Sequence, residues 1–475
     1  MDFPPTFQQL TVNKSNVKAK EYQGLGNKSF ENKKWIESLI FYNKSLSFAC
    51  SKNILCLIYA NRSAVYFEIQ RYQKCLENIN LARKNGYPKN KIDELNILEE
   101  KCKNLKIQED LNKIQLNEKS SEIFKLSYPA NEKIPWIVDC IEMKKTDKYG
   151  RGIYAKQDLK AGDIISIEDS VVCILRDDGY YKHCYNCMKT CMLSLIPCTR
   201  TASIMFCSTE CMDKTYSKFG DMKIMLMDDV KLLSEIVALF DGQEKFTEYI
   251  SSKNHNLANI FDYDLHNPKD KEYSRKIANC LLELSASNRH PVNVELYLIG
   301  NNLPKKAANR ILNILFMNNT THTFCDNGSN WHNDSASIPL FANIINHSCM
   351  PNSFPIFVDN KIVVCISEPI KAGDQIFVSY LNQEDPMRDV MKEIMFLHYN
   401  FKCDCLACTD EKHSSFWNAS TEVNVNKNDL MNASYLNEGW NIINNESTAL
   451  DEVNRQKAQN MLIMVLQAYK MTFPC

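Results

Sequence analysis

NIINHSCMPN, residues 343–352, is the stretch on which the reading of this chain turns. It is followed by AGDQIFVSY, ending at Tyr380, and then by Cys403-x-Cys405-x2-Cys408. An Asn-His pair beside a lone Cys, then a Tyr, then three closely spaced Cys, is more than a packed core needs. Three Cys within six positions are spaced for metal. Tetrahedral zinc takes four ligands, which leaves one to be supplied from elsewhere.

The rest of the composition sets bounds. At 475 residues the chain has room for roughly two to four domains. Its 44% hydrophobic and 24% charged residues are those of an ordinary soluble globular protein. The net charge of −1 gives no overall basic field, which argues against direct nucleic-acid binding. No apolar run reaches the ~18 residues of a membrane span. MDFPPTFQQL lacks the charged and apolar regions of a secretory signal. The 20 cysteines are therefore expected as thiols in a reducing compartment, cytoplasm or nucleus. Single ones among apolar neighbours (Cys56, Cys75, Cys280, Cys365) read as small core residues. The clustered ones, Cys184 to Cys211 and Cys403 to Cys408, read as metal ligands.

From about Lys18 to Lys106 apolar residues recur at helical spacing, and Gly86 and Pro88 give a helix stop. Asn27 in GNKSF and Asn61 in NRSA lie 34 residues apart, the period of tetratricopeptide repeats. Residues 15–110 are expected to form such repeats. They would be either a stabilising cap or a groove for a peptide partner. Some repeats of this kind clamp a carboxylate with two Asn and basic residues. Asn27 and Asn61 match the Asn pair, but neutral Gln23 stands where a Lys belongs, which argues against a clamp. Residues 111–134 read as a linker.

From Trp136 the pattern changes to short alternating segments with Gly punctuation, the mark of strands and tight turns. YGRGIYA (149–155) and LKAGDIISIEDSVV (159–172), followed by NHSCMPN and KAGDQIFVSY, resemble the SET domain of protein lysine methyltransferases. The intervening HCYNCMKTCMLSLIPCTRTASIMFCSTECMDKTYSKFG (183–220) resembles a MYND zinc finger, which makes the SET-and-MYND family the match. The resemblance implies an α+β multidomain chain. Its parts would be helical repeats, a SET N-terminal part at 135–183, a degenerate finger at 184–224 and a helical insertion at 225–335. The SET core would follow at 336–381, the post-SET segment at 382–410 and a short helical C-terminal region at 411–475.

The resemblance also assigns residues. S-adenosylmethionine would be held by Tyr149, Gly150, Arg151, Asn346, His347, Tyr380, Tyr399 and Phe401. Tyr380 would align the acceptor amine and Tyr399 would complete the lysine channel. A further Asn of the family falls at Asn319 or Thr320. Cys349 would join Cys403, Cys405 and Cys408 on one zinc. In the finger Cys184, Cys187, Cys207 and Cys211 would hold a second. Its other ligand set keeps only Cys198, with Thr201 in place of a Cys and Gly220 and Ile224 at the last two positions. Two zincs per chain are implied, with Cys191 as a substitute ligand at most. The expected activity is methyl transfer to a lysine of a protein substrate, by a monomer. The alternative is an inactive SET scaffold for protein–protein interaction.

Overall fold

The computed structural model describes residues 13–112, 124–219, 235–286, 320–380 and 401–409, with breaks of one to seven residues inside the second, third and fourth spans. These residues divide into two compact units. One joins the N-terminal helices to the segment that starts at Leu175; the other joins Phe124–Ile174 to the elements from Glu235 onward.

The first unit begins with α1 (Asn16–Glu31), α2 (Trp35–Phe48), α3 (Lys52–Glu68), α4 (Tyr72–Lys84) and α5 (Ile92–Asn112). Ser15 caps α1 by accepting the Lys18 N–H on its side chain. Three-residue connections join α1 to α2, α2 to α3 and α3 to α4, so successive helices fold back on one another. Their apolar faces meet in a core of Leu39, Leu46, Ile58, Val65, Tyr66 and Ile79, with Cys56 and Cys75 buried as expected. Arg62 is buried with them and donates to Tyr66 Oη at 2.6 Å. Asn61 Nδ2 donates to Asn27 Oδ1 at 2.8 Å, and Tyr42 Oη donates to the same oxygen at 2.8 Å. The two Asn side chains thus bind one another.

The zinc-finger segment packs on these helices. It comprises β5 (Ile196–Pro197), β6 (Met205–Phe206) and α6 (Thr209–Phe219). Fully buried Asn43 of α2 donates through Nδ2 to Tyr181 O at 3.1 Å and Met192 O at 3.0 Å. Ser47 donates to Ala202 O, and Lys44 Nζ lies 5.4 Å above the Tyr181 ring. Residues 176–183 thus lie in the same compact unit as the helices and the cysteine-rich segment. Tyr181 is the reason: its backbone and ring serve the helices.

The second unit is built on β1 (Ile141–Thr146), β2 (Gly150–Ala155), β3 (Ile164–Asp169), β4 (Val172–Leu175), β7 (Thr320–Asp326), β8 (Asn330–Ile338), β9 (Asn346–His347), β10 (Ser353–Val358), β11 (Lys361–Ile366) and β12 (Gln375–Val378). They form sheets of order β1-β2-β12-β9, β10-β11-β3 and β4-β8-β7. Central β11 reads KIVVCI, a near-continuous apolar run, because both of its neighbours are strands. Ile153, Ile165, Phe341, Ile345, Val364 and Ile376 share one core, and Cys280 and Cys365 are buried as expected. Helices α7 (Gln243–Ser251) and α8 (Tyr273–Ala286) supply Phe246 and Ile277 to it.

Two boundaries move. The linker expected over 111–134 ends by Leu126, because Tyr128 Oη donates to Asp163 at 2.6 Å and Ile134 is buried in the core. At its other end, α5 runs to Asn112. The helical insertion expected to reach residue 335 gives way at Thr320 to the β7–β8 hairpin. TTHTF, a run of Thr and an aromatic, favours extended backbone. Among the described residues no helix is long and apolar enough to cross a membrane.

Candidate active site

The site grows from the β9 register. Asn346 and His347 pair in parallel with Phe377 and Val378 of β12, and β12 pairs with β2 through Gln375 and Ile376. Three stretches far apart in sequence, Tyr149–Gly152, Asn346–Cys349 and Gln375–Tyr380, thereby become neighbours.

Asn346 stitches them. Its Nδ2 donates to Tyr149 O at 3.1 Å and Arg151 O at 2.7 Å. Both amide hydrogens are spent on the hairpin, which leaves Oδ1 as the group to meet a ligand. Gly150 has φ 63°, the left-handed region that suits glycine. Gly152 is required by space: a Cβ there would strike the Gln375 amide and come 3.0 Å from Asn346 Nδ2. Gln375 Oε1 accepts from Tyr154 Oη at 2.8 Å, while its buried Nε2 has no hydrogen-bond partner among the described residues. The Asn346 oxygen and the turn backbone fit the amino-acid end of S-adenosylmethionine, and Gln375 packs beneath them on Gly152. Sequence reading missed Gln375 because it sits in a strand pattern that looks like ordinary sheet.

The His347 ring has bonds of its own. Its Nδ1 accepts the Tyr380 backbone N–H at 2.9 Å. That bond places the ring proton on Nε2, which lies 3.3 Å from Cys349 Sγ. The ring is therefore an outer partner of the cysteine cluster and a support for Tyr380. Tyr380 Oη donates to Ile345 O at 2.8 Å, which fixes the direction of the phenol hydrogen. Phe401 lies with its ring 6.0 Å from that of His347 and packs against Cys349. Tyr399 and Asn319 fall outside the described residues; Thr320 opens β7.

Cys349, Cys403, Cys405 and Cys408 bring their sulfurs within 4.8 Å of one another, with Cys349 fully buried. Tetrahedral zinc with bonds of ~2.3 Å separates its sulfurs by about 3.8 Å. Cys408 and Cys349 stand 3.5 Å apart, so the donor set fits. Hydrogen bonds from Cys403, Cys405 and Cys408 hold the Cys349 thiol far up, and the bonds Cys405 receives hold its thiol far down. A dication bound here would favour the thiolate at all four sulfurs. The cluster is also tied to the β1–β2 turn: Asp404 pairs with Lys148 at 2.7 Å and accepts from Tyr149 Oη at 3.4 Å.

In the other unit Cys184, Cys187, Cys207 and Cys211 form a second such group. Cys187–Cys207 and Cys207–Cys211 separations are 3.7 and 3.5 Å. Cys211 enters from the first turn of α6, where Asn186 donates to it at 3.6 Å. Cys191 is not one of the four; it hydrogen-bonds to Cys207 from outside. Cys198, outside this group, makes a different set of contacts. Cys198 Sγ and Thr199 Oγ1 meet Tyr216 Oη at 3.0 and 3.1 Å, and the Arg200 guanidinium stacks on that ring at 4.0 Å.

A family model described as the SET domain matches residues 150–381. The chain is 26% identical to the protein-lysine N-methyltransferase SMYD4 of Danio rerio over 45% of its own length and 30% of the relative's. It thus spans about a third of that protein. It is 24% identical to a SET and MYND domain-containing protein of Dictyostelium discoideum over 58% of this chain and 83% of the relative. The solved SET domain of LSMT, bound to lysine and AdoHcy, aligns with a TM-score of 0.23 and 11% identity over 71% of this chain and 88% of its own.

Proposed function

From a chain that belongs to the SET-and-MYND family, we propose a protein-lysine N-methyltransferase that takes its methyl group from S-adenosylmethionine. The observation that carries the proposal is the junction at β9. There one parallel pairing brings together the Asn346 amide, the Tyr380 hydroxyl and the sulfur cluster of Cys349.

Bound S-adenosylmethionine would supply a sulfonium methyl open to attack. The chain's residues supply everything else. Asn346 Oδ1 and the backbone of the Tyr149–Gly152 turn would hold the amino-acid end. Phe401 offers an aromatic face beside them. The attacking lysine must lose its proton, and its usual pKa of about 10.4 lies far above neutrality. A channel that excludes water disfavours the ammonium and so favours the neutral amine. Tyr380 Oη, with its hydrogen committed to Ile345 O, would accept an N–H from that amine. Accepting it turns the nitrogen lone pair toward the methyl, and orientation of this kind is worth several kcal/mol. Two zinc ions, one on each cysteine group, complete the proposal.

Titration calorimetry of S-adenosylmethionine into the zinc-loaded chain tests it. Binding should be lost in Asn346→Ala and kept in Tyr380→Phe, while Tyr380→Phe lowers methylation of a lysine peptide by about 10²-fold. Folded, zinc-loaded protein that binds no cosubstrate would refute the assignment.

A further inference from the structure

We infer that Glu168 is a positioning residue for this reaction: its carboxylate fixes the turn from which Ile345, Asn346 and His347 are presented. The inference rests on the methyltransferase reading above and adds to it a residue that touches neither cosubstrate nor lysine.

Glu168 lies near the end of β3 and is 2% exposed. A buried carboxylate is costly unless its oxygens are satisfied. Here they are satisfied by consecutive backbone N–H groups of one turn. Oε1 accepts from Leu340, and Oε2 accepts from Phe341 at 3.0 Å and Ala342 at 3.4 Å. These are the donors at the start of the short helical turn Ala342–Ile344. No side chain within the segment caps that turn, so Glu168 does so from 172 to 174 positions away.

The next residues carry the site. Ile345 O holds the Tyr380 hydroxyl, Asn346 holds the Tyr149 and Arg151 carbonyls, and His347 holds the Tyr380 backbone. A shift of the turn therefore displaces the amine-aligning hydroxyl and the cosubstrate pocket together. One carboxylate sets both, and no neutral side chain of that size accepts from three N–H groups with two oxygens.

The charges around Glu168 do not neutralise it. Asp169 beside it is paired with Lys361 at 2.8 Å, and Ile362 is its cross-strand partner on β11. From α8 it faces the Tyr273 phenol, with Cys280 nearby. Burial outweighs the N–H bonds and pushes the Glu168 carboxyl up to about 7. Protonation removes one acceptor, so the turn loosens as pH falls through that value.

The experiment measures cosubstrate affinity by calorimetry at about pH 6 and about pH 8, for wild type and Glu168→Gln. Loss of one charged hydrogen-bond set should weaken Glu168→Gln binding about tenfold at the higher pH. Wild-type affinity should fall toward the lower pH, and Glu168→Gln should lose that part of the pH response. Wild-type affinity and an unchanged pH profile in Glu168→Gln would overturn the inference. If the variant does not fold, hydrogen exchange in the wild type decides. After correction for intrinsic rates, the amides of Leu340, Phe341 and Ala342 should open more at the lower pH, and equal protection would overturn the inference. If wild type binds no cosubstrate at either pH, the methyltransferase reading has failed, and the exchange result still stands or falls separately.

Discussion

Two groups of four cysteines in this chain share one chemistry and differ in what they hold. In the finger, Cys184, Cys187, Cys207 and Cys211 lie within 28 consecutive residues and close a local loop. In the other group Cys349 comes from the strand core and its three partners come from more than 50 residues later. The first site stabilises a fold that its own neighbours already describe. The second brings a distant segment onto the residues that build the pocket, and His347 links its sulfur directly to Tyr380. The difference teaches that ligand type and spacing identify a metal site, whereas the elements that contribute the ligands decide what losing the metal costs. A local closure costs stability. A long-range closure costs the site.

Paired substitutions should separate the two most widely. Cys349→Ser should lower zinc from two ions to one per chain by elemental analysis and abolish cosubstrate binding in calorimetry. Structural zinc sites supply about 10 kcal/mol or more of apparent binding free energy, so the post-SET segment will not stay docked without it. Cys207→Ser should also release one zinc but leave cosubstrate affinity within about twofold, because every assigned pocket residue lies in the other unit. Equal loss of binding in both variants would break the comparison.

A smaller effect tests what the finger is for. Asn43→Ala removes two side-chain donors and leaves the Tyr181 and Met192 carbonyls unsatisfied in a buried place. The expected loss is about 2–6 kcal/mol in denaturant unfolding, from two such groups at about 1–3 each. Zinc content should stay at two. A change below about 0.5 kcal/mol would mean that the helices and the finger do not depend on this contact.

The sequence was legible where chemistry dictates residue type. Both cysteine quartets, the β9 motif and Tyr380 could be read because no packing pattern explains them. The helical hairpins could be read from apolar spacing. Three things were hidden, each for a physical reason. Gln375 and Glu168 lie in strands whose pattern looks like any half-buried sheet, and only the three-dimensional fold puts the one beside Gly152 and the other beneath Leu340. The His347 ring carries an assignment that depends on which nitrogen accepts from Tyr380, and sequence holds no such information. The β7–β8 hairpin was masked by polar composition: its Thr and Asn residues suit loops as readily as strands, so register had to come from the partner strand β4.

The remaining cysteine of the finger segment gives the smallest effect and the sharpest use of the comparison. Cys198 meets a phenol and not three further cysteines. Tyr216→Phe deletes the oxygen that contacts Cys198 and Thr199 but keeps the ring under Arg200. The stacking survives, so only the hydrogen bonds are lost, and the cost should be about 1 kcal/mol in denaturant unfolding. Zinc should remain at two ions per chain, because neither quartet includes Tyr216. A wild-type content of three ions, falling to two in Tyr216→Phe, would show that Cys198 and its neighbours bind metal and would overturn the hydrogen-bonded assignment. A drop to one ion would instead make Tyr216 a support of the Cys184 quartet, reached through the shared helix α6, and the two halves of the finger would have to be treated as one.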